Sequence, residues 1–288
     1  MVREIPKTVQ KTTKHLVRLA LVEDLADRGD VTSQAILSSE ATLCGQILAK
    51  APGVVAGLFA VHAVYRELDP AFEIVVHLQD GAPVAPGELI CAVVGKGQRV
   101  LAGERTALNF LQRLSGVATL TAQFVAQVAH TNVVILDTRK TTPGWRVLEK
   151  YAVTLGGGQN HRMGLYDAVM IKGNHIDMAG GITAAVSAVL GFPGAQGLPI
   201  VVEVRNRVEL EEAIAAQVDQ IMLDNMTDAQ IRDAVNLVAG RVPLEASGNM
   251  SIERVRGVAE TGVDYISVGA LTHSAPALDL SMRLSAES

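Results

Sequence analysis

The spacing of apolar residues changes along this chain, and the change divides it into two halves. In the first half, Leu16, Leu19 and Ala20 recur at helical spacing and predict an early helix. Apolar runs at 43–49, 72–78 and 89–94 predict short strands, with Pro52-Gly53, Gly81, Pro83 and Pro86-Gly87 between them as turns require. A small α+β module is the expected result. A long helical pattern then runs from Val100 to His130, with a candidate break at Ser115-Gly116. Beyond it the pattern alternates. Apolar runs at 133–136, 168–171, 200–204, 220–223, 242–246 and 265–268 are interleaved with helix-like stretches such as 209–216 and 229–238. Such alternation predicts βα units on a parallel sheet. Right-handed crossovers roll those units into a barrel or wind them about an open sheet.

What ends each run in the second half carries the functional signal. The first leads into Asp137-Thr138-Arg139-Lys140, and the next ones end at Lys172, Glu203, Asp224, Ser247-Gly248 and Gly269. Any one polar end is an ordinary loop. Six in succession predict one barrel face on which strand C-termini converge, with the doubly wound open sheet as the structural alternative.

Composition narrows the picture. Apolar residues make up 49% of the 288 positions but aromatics only 3%, so Val, Ile, Leu and Ala must fill the core, as they do in buried parallel sheets. The net charge of −5, with no basic run, argues against a nucleic-acid partner. Cys44 and Cys91 show no paired spacing and are expected as core thiols. Residues 1–14 are polar and Lys-rich, without the apolar stretch of a signal peptide, and no apolar run is long enough to cross a membrane. A cytoplasmic protein with no membrane partner is therefore expected.

Charge is distributed unevenly. Between Thr138 and His175 stand six cations, at 139, 140, 146, 150, 162 and 172, against the acids Glu149 and Asp167. Arg146 and Lys150 sit at helical spacing and read as a solvated face. Arg139 and Lys172 follow apolar runs directly, where a cation needs a partner, and an anionic ligand would supply it. Glu203 and Asp224 are the complement. Paired carboxylates near phosphorylated substrates hold magnesium, directly or through water, stabilise developing positive charge, or simply pair with the nearby cations. Ser247-Gly248-Asn249 and Val268-Gly269-Ala270 follow the last two strands, where glycine lets backbone N–H groups approach a phosphate. Gly156-Gly157-Gly158 shapes a loop that presents Asn160, His161 and Arg162.

These stretches carry a family resemblance. Asp137-Thr-Arg-Lys-Thr-Thr-Pro-Gly144, Leu148-Glu-Lys-Tyr-Ala152, Gly156-Gly-Gly-Gln-Asn-His-Arg162 and Ile171-Lys-Gly-Asn-His-Ile176 closely resemble quinolinate phosphoribosyltransferases. So do Gly29-Asp-Val-Thr-Ser33, Ala102-Gly-Glu-Arg-Thr-Ala-Leu-Asn109, Ile221-Met-Leu-Asp-Asn225, Glu245-Ala-Ser-Gly248 and 262–273, in order along nearly the whole chain. The resemblance implies an N-terminal α/β sandwich domain at 1–117, rejoined by a final helix at 274–288, and an open, incomplete α/β barrel at 118–273 as catalytic domain. It implies transfer of a phosphoribosyl group from phosphoribosyl pyrophosphate to quinolinate with decarboxylation. Magnesium is required on that view, and no organic cofactor.

The resemblance also implies roles. Arg139, His161, Arg162 and Lys172 look like the quinolinate-binding cations, and Arg105 like the arginine that a homodimer supplies to its partner's site. Lys140, Glu203, Asp224, Ser247, Gly248 and Gly269 look like the phosphoribosyl pyrophosphate and magnesium residues, with Thr138, Asn249, Val268 and Ala270 beside them. Lys140, Lys172, Glu203 and Asp224 are the expected catalytic group. The chain departs from the usual pattern at Gly173, where an Asp is common, and at Asn249, where a second glycine is common. A related phosphoribosyltransferase associated with molybdenum-uptake genes, a barrel aldolase using Lys172 as Schiff-base nucleophile and a non-catalytic anion-binding barrel are the alternatives.

Overall fold

The structure, a computed structural model, describes residues 4–286; residues 1–3 and 287–288, the outer ends of the polar N-terminal segment and of the expected final helix, lie outside the described residues. In chain order, α1 (Lys7–Leu25) and α2 (Val31–Ile36) precede β1 (Thr42–Ala49) and β2 (Gly53–Val54). Next come α3 (Leu58–Leu68), β3 (Glu73–Val76), β4 (Pro83–Val84), β5 (Leu89–Lys96) and the long α4 (Gly97–Val128). Then follow β6 (Val134–Leu136), α5 (Arg146–Leu155), β7 (Val169–Ile171), α6 (Gly173–Ala179), α7 (Ile182–Leu190), β8 (Ile200–Val204) and α8 (Arg207–Ala215). The last elements are β9 (Gln220–Asp224), α9 (Asp228–Val238), β10 (Leu244–Ser247), α10 (Ile252–Ala259), β11 (Tyr265–Ser267), α11 (Ala270–His273) and β12 (Leu280–Ala286). They form two compact units: Met1–Ala122 with Thr142–Gly157 and Ala275–Ser288, and Gln123–Thr141 with Gly158–Ser274.

The first unit is built on an antiparallel sheet of order β12-β1-β5-β3. The expected C-terminal helix is not formed. Leu280–Ala286 is a strand, paired with β1 from Leu280 opposite Ala49 to Ala286 opposite Leu43. The reason is legible: Leu-Ser-Met-Arg-Leu-Ser alternates apolar and polar residues with the period of a strand. Gly45 admits this neighbour, since a Cβ there would lie 2.6 Å from the Met282 sulfur. Helix α1 exists as expected but buries Val9, Thr13, Val17 and Leu21, four residues apart, beside α3, while Leu19 stays 55% exposed. Helix α4 runs unbroken through Ser115-Gly116. Those small residues serve close packing instead. Ser115 Oγ bonds both the N–H and the C=O of Ala56, and a Cβ on Gly116 would strike the Pro276 carbonyl.

Helix α5 groups with this first unit, and the two compact units divide within α4 at Ala122. It packs on α1, with Tyr151 edge-on to Phe59 and, just ahead of the helix, Trp145 stacked on Phe110 at 4.7 Å. Every side chain from Leu148 to Val153 is buried. Lys150 is therefore not on a solvated face: it is wholly inaccessible, and Glu149 beside it nearly so.

The second unit is a six-stranded parallel sheet of order β6-β11-β10-β9-β8-β7. Each of β7 to β11 neighbours the next, and β6 returns beside β11, which is the order of a barrel. Among the described residues no hydrogen bonds join β6 to β7, so the barrel is open and incomplete. Val-, Ile- and Leu-rich strands buried on both faces suit it, as Ile200, Val201, Val202 and Val204 of β8 show. Asn206, Thr227 and Ser251 each cap a following helix by accepting the N–H three residues on, which fixes where each βα loop ends. No helix among the described residues is long and apolar enough to cross a membrane.

Candidate active site

The parallel register sets which side chains share a face. Glu203 pairs with Met222, Met222 with Glu245, and Glu245 with Tyr265. Residues two apart along a strand point the same way. One face therefore carries Met170 and Lys172, Glu203, Met222 and Asp224, Glu245 and Ser247, and Ser267. These residues line a cavity of about 610 Å³ at the C-terminal ends of the strands.

Thr138, Arg139 and Lys140 reach the same cavity from the loop after β6. Thr138 Oγ1 accepts the Lys140 N–H at 3.0 Å and tightens that turn. His161 and Arg162 arrive because Gln159 bridges Leu136, laying residues 159–162 along the end of β6. There the buried Asp137 accepts the His161 N–H at 2.9 Å. Eleven of the fifteen expected site residues thus converge: Thr138, Arg139, Lys140, His161, Arg162 and Lys172, then Glu203, Asp224, Ser247, Gly248 and Asn249.

Four expected residues do not line this cavity. Val268 is buried and donates its N–H to Leu136 at 2.9 Å. Gly269 and Ala270 begin α11; a Cβ on Gly269 would lie 3.0 Å from the Lys140 side chain. Thr272 Oγ1 donates to the Lys140 carbonyl at 2.6 Å, so this segment braces the lysine loop from behind. Arg105 lies in the first unit, where it lines a separate groove of about 380 Å³ with Leu16, Leu19, Asn109 and Trp145.

Charges inside the cavity are arranged with a difference from expectation. Lys172 Nζ and Glu203 Oε2 form an ion pair at 2.5 Å, so the lysine expected to be left for an anion and the carboxylate expected to face a ribose are joined. Burial, and then the neighbouring Arg139 charge, hold Arg162 below the usual guanidinium range, against the opposing pull of Asp167. The guanidinium also donates to the Ala168 carbonyl at 3.0 Å. Two cations side by side in a half-buried wall favour any ligand that brings negative charge.

The loops after β9 and β10 interlock. Asn225 Nδ2 donates to Asp224 at 2.9 Å, and its Oδ1 accepts Asn249 Nδ2 at 3.1 Å. Asn225 and Asn249 both have positive φ, 53° and 49°, a conformation that asparagine tolerates. Gly248, at φ 92°, must be glycine because a Cβ would collide with the Asn225 amide. Arg254 fastens the arrangement by donating to the carbonyls of Gly248 at 3.1 Å and Met226 at 2.7 Å. Asn249 thus has its own bonding partner here. At Gly173, the Arg205 guanidinium, held by Asp177 and Glu209, occupies the space a Cβ would enter, 3.2 Å away.

No group of three or more His, Cys, Asp or Glu that could hold a metal occurs among the described residues. Glu203 and Asp224 are two oxygen donors, one already paired. That set fits a hard cation that keeps most of its water and arrives on substrate phosphates, rather than a resident metal in a protein cage.

Sequence reasoning missed Met170, Met222, Asn225, Glu245 and Ser267 as cavity residues. Four of them stand two positions before Lys172, Asp224, Ser247 and Gly269, so counting back by the strand period would have found them.

Comparison with known proteins identifies the family. Residues 30–115 match the family model described as quinolinate phosphoribosyl transferase, N-terminal domain, and residues 117–283 match its C-terminal domain. The chain is 43% identical, over 95% of its length and 78% of the relative's, to the chloroplastic nicotinate-nucleotide pyrophosphorylase (carboxylating) of Oryza sativa subsp. japonica. It is 42% identical to the probable nicotinate-nucleotide pyrophosphorylase (carboxylating) of Bacillus subtilis, over 93% of this chain and 92% of that one. Among solved structures, the nicotinate-nucleotide pyrophosphorylase from Francisella tularensis superposes with a TM-score of 0.93 at 39% identity, covering 98% of each chain.

Proposed function

Because this chain belongs to the quinolinate phosphoribosyl transferase family, we propose that it transfers the phosphoribosyl group of phosphoribosyl pyrophosphate to quinolinate, yielding nicotinate mononucleotide, pyrophosphate and CO₂ for NAD biosynthesis. The observation that carries this is the convergence of Arg139, Arg162 and Lys172 with Glu203 and Asp224 in one cavity at the strand C-termini. An acceptor with two carboxylates meets the cations, and a donor that develops positive charge meets the carboxylates.

In the transfer, the pyridine nitrogen forms a bond to C1 of the ribose as the C1–O bond to pyrophosphate breaks. Glu203 and Asp224 stabilise the cationic character at C1. Lys140 and the backbone at Ser247-Gly248-Asn249 hold phosphate oxygens. Arg139 and Arg162 fix the acceptor's carboxylates, and a carboxylate entering beside Lys172 competes with Glu203 for that lysine. The nitrogen is now a pyridinium. The bond from C2 to its carboxylate breaks, CO₂ leaves, and a proton takes its place at C2. The substrate supplies its own electron sink, so no organic cofactor is needed. Asp224 and Glu203, directly or through water, would hold a magnesium ion, which would supply charge neutralisation for the leaving group.

A homodimer is part of this reading, with Arg105 reaching the partner's site. Its place in a groove of the first unit, which shares no lining residue with the cavity, supports that. Two free cysteines agree with a reducing, cytoplasmic setting. The aldolase alternative is not favoured, because Lys172 is ion-paired and half exposed rather than desolvated. The deciding assay combines quinolinate, phosphoribosyl pyrophosphate and magnesium. Stoichiometric nicotinate mononucleotide, pyrophosphate and CO₂ are expected, and absence of all three overturns the reading.

A further inference from the structure

Of the three carboxylates lining the cavity, Glu245 has no task in the transfer. It is also the most deeply set. Its side chain is wholly buried, two residues before Ser247 on the same face of β10. Burying a carboxylate is costly, and an apolar residue would fill a strand interior without that cost. Glu245 Oε2 accepts the Gln220 side-chain amide at 2.5 Å and stands 3.3 Å from His161 Nε2. Its Oε1 has no hydrogen-bond partner among the described residues, and its approach to His161 Nε2 is an ion-pair distance that does not meet hydrogen-bond geometry.

His161 explains the arrangement. Its ring is 10% exposed, and Nδ1 accepts the backbone N–H of Arg162 at 2.7 Å. A nitrogen that accepts keeps its lone pair, so the ring proton belongs on Nε2, the side facing Glu245. The opposite tautomer would set an Nδ1–H against the Arg162 N–H, donor against donor. Asp137 meanwhile takes the N–H of His161 itself. Two consecutive peptide N–H groups are thus pinned by buried side chains, immediately before the Arg162 side chain enters the cavity.

We propose that Glu245 is a positioning residue for the acceptor. By fixing the Nε2–H tautomer of His161 it keeps Nδ1 as an acceptor for Arg162, and so aims Arg162 at a substrate carboxylate. His161 then acts as a strut for Arg162. The proposal rests on Arg162 binding quinolinate.

Two variants of the full chain test it. Glu245→Leu keeps the volume and removes the acceptor. Glu245→Gln keeps an oxygen that can accept from Nε2–H. Glu245→Leu should raise the KM for quinolinate by roughly tenfold to a hundredfold, the loss expected for a hydrogen bond to a charged group, with the KM for phosphoribosyl pyrophosphate within about twofold. Glu245→Gln should recover most of the loss, which a purely volumetric role would not produce. In a His161→Asn background, Glu245→Leu should add little, because the two act through one another. Nitrogen-15 NMR of labelled histidine should report the Nε2–H tautomer for His161 in the wild type, the signal being assigned by its loss in His161→Asn. A parallel rise in both KM values, independent effects of the two substitutions, or an Nδ1–H tautomer in the wild type each overturns the proposal. If Glu245→Leu does not fold, the tautomer decides. The NMR readout needs no turnover, so inactivity toward quinolinate would remove the functional reading while leaving the strut itself to be tested.

Discussion

Asp80 in the first unit is part-buried and Glu245 in the second wholly buried, and their partners separate two kinds of desolvated carboxylate. Asp80 sits at the first turn of α3, where its Oδ1 accepts the N–H groups of Gly57 at 2.9 Å and Leu58 at 3.0 Å. It completes a helix terminus that would otherwise leave those donors orphaned. Burial still wins over the two backbone bonds and pushes its pKa up to about 6. Glu245 meets side chains instead, from Gln220 and His161, and retains an oxygen without a hydrogen-bond partner among the described residues. A carboxylate absorbed by backbone donors serves the fold. One that faces side chains already lining a cavity serves the site. The first unit should accordingly contribute stability and the second chemistry, with Arg105 as the exception.

The largest expected effect tests that exception. Arg105→Ala and Lys172→Ala homodimers should each be nearly inactive. Mixed after dissociation and reassociation, they should recover roughly a quarter of wild-type activity, since random pairing under two-fold symmetry leaves that share of sites intact. No recovery despite verified exchange would move Arg105 out of the partner's site.

Next comes Arg162→Ala, which leaves a substrate carboxylate facing a site built for charge. A loss of roughly 3–5 kcal/mol is expected, read as a fall in kcat/KM for quinolinate of about two to nearly four orders of magnitude with the melting temperature little changed. Equal loss of stability and activity would erase the contrast between the units.

Asp80 offers the reverse signature. Its folded-state pKa is raised above the ordinary 3.8, so the folded protein holds a proton that the unfolded chain has released. The stability associated with that proton is present below about pH 4 and is lost as pH rises to about 6; above that both states are ionised and the slope ends. Relative to Asp80→Asn, whose side-chain oxygen still accepts the two N–H groups, the wild type should lose about 3 kcal/mol across this window. Urea unfolding of both proteins from pH 4 to pH 7 measures it, and a constant difference would show that Asp80 is not buried as described.

The smallest effect concerns the interlocked loops. Asn225→Ala removes the bonds to Asp224 and Asn249 and replaces a residue that tolerates positive φ with one that tolerates it less, at a cost of roughly 1–2 kcal/mol. A fall in kcat of about tenfold, with the KM for quinolinate unchanged, is expected from steady-state kinetics. A changed quinolinate KM would place Asn225 at the acceptor instead.

The same contrast explains what the sequence made legible. The parallel unit was readable because its βα repeat puts a polar or glycine residue at each strand end, and eleven of the expected residues, most of them from those ends, do meet in one cavity. Glu245 and Met222 escaped because they lie inside apolar runs, where only a register reveals the face they share. The Lys172–Glu203 pair escaped for another reason: spacing locates two residues on neighbouring strands but says nothing of whether they neutralise each other. In the antiparallel unit the errors were of context. Lys150 has the spacing of a solvated face, yet α5 is buried on all sides from Leu148 to Val153. Leu16 and Leu19 mark a helix correctly but not its buried row. Leu280–Ala286 alternates as a strand does, and the resemblance to a helix-ended fold overrode that local signal.

That last strand sets the order in which the protein can be completed. Its partner, β1, is among the first elements to leave the ribosome, while β12 is translated after every other described element. Until then β1 presents an open edge of unpaired N–H and C=O groups from Leu43 to Ala49, a template for pairing with another nascent chain. Contacts of such sequence separation form slowly. In the second unit most neighbouring strands are consecutive in the chain, and only β6 must wait for a distant partner, β11. A chaperone that shields β1 during synthesis, or a slower step once β12 emerges, is where the yield of active protein would be governed.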